Sequence, residues 1–400
     1  MADALAGIRV VECGDFVAAS YGAKQLADLG AEVIKVEPLG GDRARTRGPY
    51  PGGVPDPDRS GLYLYLNTNK RAVEVDLDTA AGRALLDRLA SSADLLIHDQ
   101  PPQVARARGL DPESLRRRHD RLVVTSIAPF GLTGPKADFR AHDLNLWCAS
   151  GLAVLNGAGP GRDDLPPLKP FGMQASFQAG LNAAVASLAA LYEREASGVG
   201  QAVEISVQEC LASIAEMTFS FYPYMGIVPS RLGQKPIQPL DFLECSDGWI
   251  FICCVEEHQW HRFVELAGSP EWATLEIFSN RLARGANWDA LKIFLNEYTA
   301  TRTVQDLYRE AQERRIPFAP VSTMGDLLAS DHLRARGFFA TIDDGAGGEV
   351  VLPGAPYHHA RTPWRIRRRA PRLGEHTDEV LEELGLSDRA AELRAAGAIR

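Results

Sequence analysis

The fold is decided by two runs, Ile8-Arg9-Val10-Val11-Glu12-Cys13-Gly14 and Ala31-Glu32-Val33-Ile34-Lys35-Val36-Glu37. Both are short and rich in β-branched residues, as strands are. Between them, residues 18–29 are amphipathic, with Leu26 and Leu29 on the apolar side. Gly30 closes the segment where a helix C-terminus favours glycine. Strand, helix and strand at this spacing predict a βαβ unit with parallel strands, because a parallel pair needs a crossover.

The alternation continues outward. Residues 71–77 pattern as a strand, 79–90 as a helix, 94–97 and 122–127 as two more strands. Residues 38–60, rich in Gly, Pro, Asp and Arg, form a long loop, and loops of that length are functional or mobile. After Asp143 the pattern turns helical, with a long Ala- and Leu-rich helix over 177–194. A short strand over 203–205 and a helix from 208 to 217 follow. The Pro- and Gly-rich stretch 221–239 reads as a boundary. Residues 241–321 form a smaller α+β unit, with strands at 249–255 and 317–321 and helices at 260–266 and 288–298. The tail ends in a helix with Thr377 as N-cap and Asp378 and Glu379 in its first turn. No internal repeat is visible.

Composition bounds the function. The 400 residues are 45% hydrophobic and 24% charged, ordinary for a globular protein of two to three domains. Lys and Arg total 43 against 52 Asp and Glu, a net charge of −9, without the dominant basic field of a nucleic-acid binder. The N-terminus shows no signal peptide, and the most apolar stretch, 180–192, is too short and polar to span a bilayer. The six cysteines show neither a C-x-x-C pair nor zinc spacing, so no metal is expected and they read as reduced core residues. These features point to a cytoplasmic enzyme with no membrane or nucleic-acid partner.

The first βαβ unit also invites a dinucleotide reading. That motif needs G-x-G-x-x-G so that backbone can approach a pyrophosphate. Here the turn reads Cys13-Gly14-Asp15-Phe16-Val17-Ala18-Ala19-Ser20, with one glycine and an acidic Asp15. NAD is therefore not expected, and Glu37 reads as a cap on its strand end.

Six segments in order carry a resemblance: Leu5-Ala6-Gly7-Ile8-Arg9-Val10-Val11-Glu12, residues 26–38, and Asn67-Thr68-Asn69-Lys70-Arg71, then Phe130-Gly131-Leu132-Thr133-Gly134-Pro135, Ser197-Gly198-Val199-Gly200-Gln201, and Leu373-Gly374-Glu375-His376-Thr377. Together they resemble the family III CoA-transferases, or CaiB/BaiF family, from about Leu5 to Leu386. The resemblance implies an α/β fold: a Rossmann-like large domain built from both chain ends, plus a small α+β domain. The expected boundaries are 1–220 for the large domain, 221–240 for a linker and 241–325 for the small domain. Residues 326–400 would form a second linker and the return to the large domain. The resemblance also implies an interlocked dimer that binds acyl-CoA and carboxylic acids as substrates, with no tightly bound cofactor.

CoA carries a 3′-phosphate and a pyrophosphate, so cations must converge on it. Lys70, Arg71, Arg106, Arg108 and Arg140 suit that task. By similarity, Phe16, Val17 and Ala18 line the first CoA-contacting turn, and Leu66, Asn69 and Asp99 occupy matching pocket positions. Asp99 is a departure, since many members have Asn there.

Transferases of this family use an aspartate that attacks the donor thioester. The resulting anhydride is opened by CoA to give an enzyme-bound thioester. Counted back from Leu188-Ala189-Ala190-Leu191, that position is Ser176, and no Asp or Glu lies between Asp164 and Glu193. A serine cannot form an aspartyl-CoA thioester, so Asp143 is a candidate replacement carboxylate. His142-Asp143-Leu144-Asn145 resembles the acid/base segment of α-methylacyl-CoA racemases, and Glu257 matches the glutamate partnering that histidine. Four readings follow: a transferase with a changed nucleophile, and a racemase-like isomerase or lyase using His142 and Glu257. The others are a silent subunit paired with an Asp-containing paralogue, and a Ser176–His142 thioesterase.

Overall fold

The computed structural model describes residues 3–159, 162–232 and 237–400. The chain forms two compact units, residues 1–231 with 337–400, and residues 232–336.

In the first unit, β1 (Arg9–Cys13), β2 (Glu32–Glu37), β3 (Lys70–Glu74), β4 (Leu95–His98), β5 (Val123–Ala128) and β6 (Ala202–Ser206) form one sheet. Its order is β3-β2-β1-β4-β5-β6, and every pairing is parallel. Helices cover both faces of the sheet, and its buried positions are largely apolar, with an ion cluster of Glu12, Lys35 and Lys70 set across β1, β2 and β3. On one face Val10, Val33, Leu95 and Ile97 meet Ala19, Ala23 and Leu26 of the helix Ala18–Asp28 and Ala183 and Leu191 of the long helix Gln174–Ser197. Those two helices cross closely. A Cβ on Gly180 would lie 2.5 Å from the Ala18 carbonyl oxygen, and one on Gly22 would lie 3.0 Å from that of Gly180. On the other face Val11, Ile34, Val73 and Leu96 pack on Leu85, Leu86 and Leu89 and on Val380 and Leu381. The tail reaches the sheet itself, since Ile399 bridges Val75 and the Asp76 N–H donates to the Ala398 carbonyl at 2.8 Å.

The second unit holds the antiparallel sheet β7-β8-β9, with β7 at Leu240–Cys245, β8 at Gly248–Cys253 and β9 at Ala319–Pro320. Its core includes Trp260, Phe263, Leu291, Leu295 and Leu307. A hairpin of β10 (Phe339–Asp343) and β11 (Glu349–Pro353) belongs to the first unit and packs Ile342 and Leu352 against Val17, Ala44 and Tyr63.

Several local readings change. The stretch 38–60 contains two short 3-10 turns, ordered by Arg45. Its buried guanidinium binds Glu37 at 2.7 Å, Asp58 at 2.6 Å and the Tyr63 hydroxyl at 2.6 Å. Glu37 is therefore a core anion rather than a strand cap. A helix over Gly61–Leu66 follows, capped by the Ser60 hydroxyl. The long helix starts at Gln174, three residues before the apolar pattern does, which puts Ser176 in its first turn. A helix over Glu216–Met225 runs into the expected linker with Pro223 inside it. Thr377 lies within its helix behind the cap His376, and its hydroxyl accepts the Glu74 N–H at 3.4 Å. All six cysteines are free; Cys13, Cys210, Cys245 and Cys254 are buried, whereas Cys148 is exposed. Among the described residues no helix is long and apolar enough to cross a membrane, and no group of three or more His, Cys, Asp or Glu is placed to hold a metal.

Candidate active site

A cavity of about 600 Å³ opens beyond the C-terminal ends of β1, β4 and β5. The sheet order reverses between β1 and β4, and a crevice at such a switch point is where open α/β sheets take ligands. The first turns of the helices Asp143–Ala149 and Gln174–Ser197 supply another wall.

Asp143, 7% exposed, sits at the centre of that wall. Its Oδ2 accepts the Ser176 backbone N–H at 3.1 Å and faces the Ser176 hydroxyl at 3.4 Å. That N–H is a first-turn donor with no partner inside its own helix, so a carboxylate from a neighbouring helix satisfies it. The Lys169 ammonium lies 3.2 Å from Asp143 Oδ1 and also donates to the carbonyls of Pro170, at 2.7 Å, and Gly172. His142 lines the cavity beside Asp143, and its backbone N–H donates to Asn145 Oδ1 at 3.0 Å. The cavity thus presents a carboxylate, a lysine ammonium, a serine hydroxyl and an imidazole. Of these, only the carboxylate can form an acyl anhydride and then a thioester.

The opposite wall is the turn after β1. Phe16 has φ 86°, a strained conformation for a residue with a side chain, of the kind that concentrates at functional sites. Neighbouring carboxylates hold it there: Asp42 Oδ1 accepts the Phe16 N–H at 2.9 Å, and Asp99 accepts those of Asp15 at 2.9 Å and Ala19 at 3.2 Å. Burial pushes the Asp99 carboxyl up to about 7, against the pull of the two backbone N–H groups it accepts. Phe16, Val17, Ala18, Asp99, His142, Asp143 and Ser176 all line this cavity.

Three cavity cations were not singled out from the sequence: Arg43, Arg47 and Lys169. Arg43 pairs with Asp15 at 2.6 Å. The guanidinium groups of Arg43 and Arg47 lie 5.5 and 5.6 Å from the Phe16 ring centre. The signal for both arginines was the loop 38–60 itself; nothing in the sequence marks Lys169.

Other expected contacts lie elsewhere. Lys70 is fully buried and donates to Glu12 at 2.7 Å, the Ser20 carbonyl at 2.8 Å and Asn67 Oδ1 at 2.9 Å. An ammonium has three donors, so none remains for a phosphate. Burial lowers its pKa to about 8. Arg71 pairs with Glu32, with Glu379 at 2.7 Å and with Glu383 at 2.6 Å. Leu66 is a core side chain. Asn69 binds Asp28 at 2.6 Å and clamps the backbone of Arg365 and Arg367 at 2.7 and 2.6 Å, so it ties down the tail. Arg106 is exposed, 3.8 Å from Asp138, and Arg140 is exposed. Arg108 binds Asp78 at 2.8 Å and lines a separate crevice of about 240 Å³ with Cys13, Gly14 and Gln100. Glu257 lies in the unit 232–336, where it accepts the Arg281 N–H at 2.8 Å and pairs with Arg284 at 2.9 Å.

The sequence model of CoA-transferase family III matches residues 5–377. The succinyl-CoA:(R)-benzylsuccinate CoA-transferase subunit BbsE of Thauera aromatica is 35% identical over 377 residues, covering 91% of this chain and 90% of its own. A succinate–glutarate CoA-transferase of Agrobacterium fabrum is 31% identical over 394 residues, covering 97% of each. The crystal structure of a CaiB/BaiF family protein from Brucella suis matches with a TM-score of 0.86 at 31% identity, covering 96% of this chain and 100% of that one. On these grounds the chain belongs to CoA-transferase family III, the CaiB/BaiF enzymes.

Proposed function

We propose that this chain moves coenzyme A from a donor thioester to an acceptor carboxylic acid in the cavity, with Asp143 as the carrier carboxylate. The observation that carries the reading is Asp143 itself, a cavity carboxylate in contact with the serine that stands at the expected nucleophile position. An Asp143 oxygen attacks the thioester carbonyl carbon, the C–S bond breaks, and CoA thiolate leaves. The thiolate attacks the aspartyl carbonyl of the resulting anhydride, which releases the donor acid as a carboxylate and leaves an aspartyl-CoA thioester. The acceptor carboxylate attacks that thioester and expels the thiolate. The thiolate then attacks the acceptor's acyl carbon and frees Asp143. One thioester replaces another, and no net proton is needed. Ser176 orients Asp143, and Lys169 offsets its charge. The names of both curated relatives specify succinyl-CoA or succinate, and the cavity cations support dicarboxylic acids as the class here.

Mass spectrometry after incubation with succinyl-CoA and hydroxylamine tests the assignment. A hydroxamate on the Asp143 peptide is expected. Asp143→Asn should lower kcat more than about 1000-fold, and Ser176→Ala should lower it far less. A hydroxamate elsewhere, or full activity in Asp143→Asn, overturns it.

One observation favours a second reading: the Thauera relative is named as a subunit. In that reading the chain is the silent partner of an Asp-containing paralogue, inactive alone, and Ser176→Asp gives it transferase activity. His142 in the cavity wall supports an α-proton reading as well, for which the signature is solvent deuterium entering an acyl-CoA and lost in His142→Ala.

A further inference from the structure

The cavity is lined by three cations, Arg43, Arg47 and Lys169, and three carboxyl groups, Asp15, Asp99 and Asp143, but they do not pair one to one. Arg43 is matched by Asp15 at 2.6 Å and Lys169 by Asp143 at 3.2 Å, while Asp99 spends both oxygens on backbone N–H groups. Among the described residues, Arg47 is the cavity-lining arginine or lysine with no carboxylate within ion-pair distance; its guanidinium lies over the Phe16 ring at 5.6 Å. The ring steadies the guanidinium without using its forked N–H donors, which match a carboxylate two-to-two. Three carboxylates already line the same space, so a multiply charged phosphate is disfavoured there and a single carboxylate at the end of a short chain fits the balance. We infer that Arg47 is the specificity-determining residue of this site, reading the distal carboxylate of a dicarboxylic acyl group. The inference rests on the transferase reading for its substrate, but its test needs no turnover.

The test measures binding, by calorimetry, of two unreactive thioethers, S-(3-carboxypropyl)-CoA and S-butyl-CoA. They have nearly the same length and differ in the terminal carboxylate. The wild-type chain is expected to bind the carboxypropyl compound about tenfold more tightly, the scale of one charge-assisted pair. In Arg47→Gln that preference should vanish, mainly through loss of the carboxypropyl compound, and Arg47→Lys should keep part of it. No preference in the wild type overturns the inference, as does a preference that survives in Arg47→Gln. Equal weakening of both ligands also overturns it, because Arg47 would then hold a CoA phosphate. Failure of the transferase reading is distinguishable: the preference for the carboxypropyl compound persists while no CoA exchanges between succinyl-CoA and a free acid.

Discussion

Asp99 carries a carboxylate where many members of the family have an amide, and its two oxygens each accept a backbone N–H of the turn that shapes the cavity. Between the ordinary carboxylate value near 4 and about 7, the folded chain holds a proton here that the unfolded chain has released. Stability contributed by this group therefore falls as pH rises through that window and stays low above it. Replacing Asp99 with Asn removes that dependence. The difference in Tm between Asp99→Asn and wild type should move in the variant's favour by about 1–3 °C from pH 5 to pH 8. A difference that stays constant or moves the other way in thermal melts refutes this. The same scale shows why some site residues were readable in advance and others were not. Motif order is enough to single out Ser176 and Asp143, which both line the cavity. Arg45 and Arg47 are two residues apart in one loop and indistinguishable as sequence, yet one is buried on Glu37 and the other faces the cavity. Lys70 was misread for the same reason, since its direction is set by Glu12, far away in the chain.

At the scale of elements, short β-branched runs bounded by polar turns or helical segments mark the six strands of the main sheet, although β3 and β6 also carry charged residues. The helix Gly61–Leu66 escapes because it is too short for a period to show, and the β10–β11 hairpin because each strand buries a single apolar residue, Ile342 or Leu352. The long helix begins three residues before its apolar pattern, and those residues bring the Ser176 N–H to Asp143. The crossing of that helix with Ala18–Asp28 depends on Gly180, where a methyl group would meet backbone at 2.5 Å. Gly180→Ala is therefore expected to destabilise the chain by roughly 1–3 kcal/mol. Gly22→Ala, with a contact of 3.0 Å, should cost less. Denaturant midpoints check both, and equal midpoints for Gly180→Ala and wild type would contradict the packing described.

For the whole molecule, length sets only a count of two to three domains and says nothing of their order, whereas the larger unit is assembled from residues 1–231 and 337–400. No local pattern announces that Val75 will pair with Ile399; the family resemblance implies only that the tail returns to the large domain. Deleting residues 398–400 removes two buried side chains, Ala398 and Ile399, and the acceptor for the Asp76 N–H. The loss should be roughly 2–4 kcal/mol. Hydrogen exchange should quicken most at β3 and residues 75–76, and unchanged protection there would refute the role given to the tail. The same closure has a consequence in time. Val75 and Ile399 leave the ribosome far apart, and at roughly 5–20 residues per second the interval is on the order of tens of seconds. During it, the outer edge of β3, which His376 and Thr377 hydrogen-bond in the finished chain, stands uncovered, so this half of the molecule is exposed to chaperones and to other nascent chains until synthesis reaches the tail.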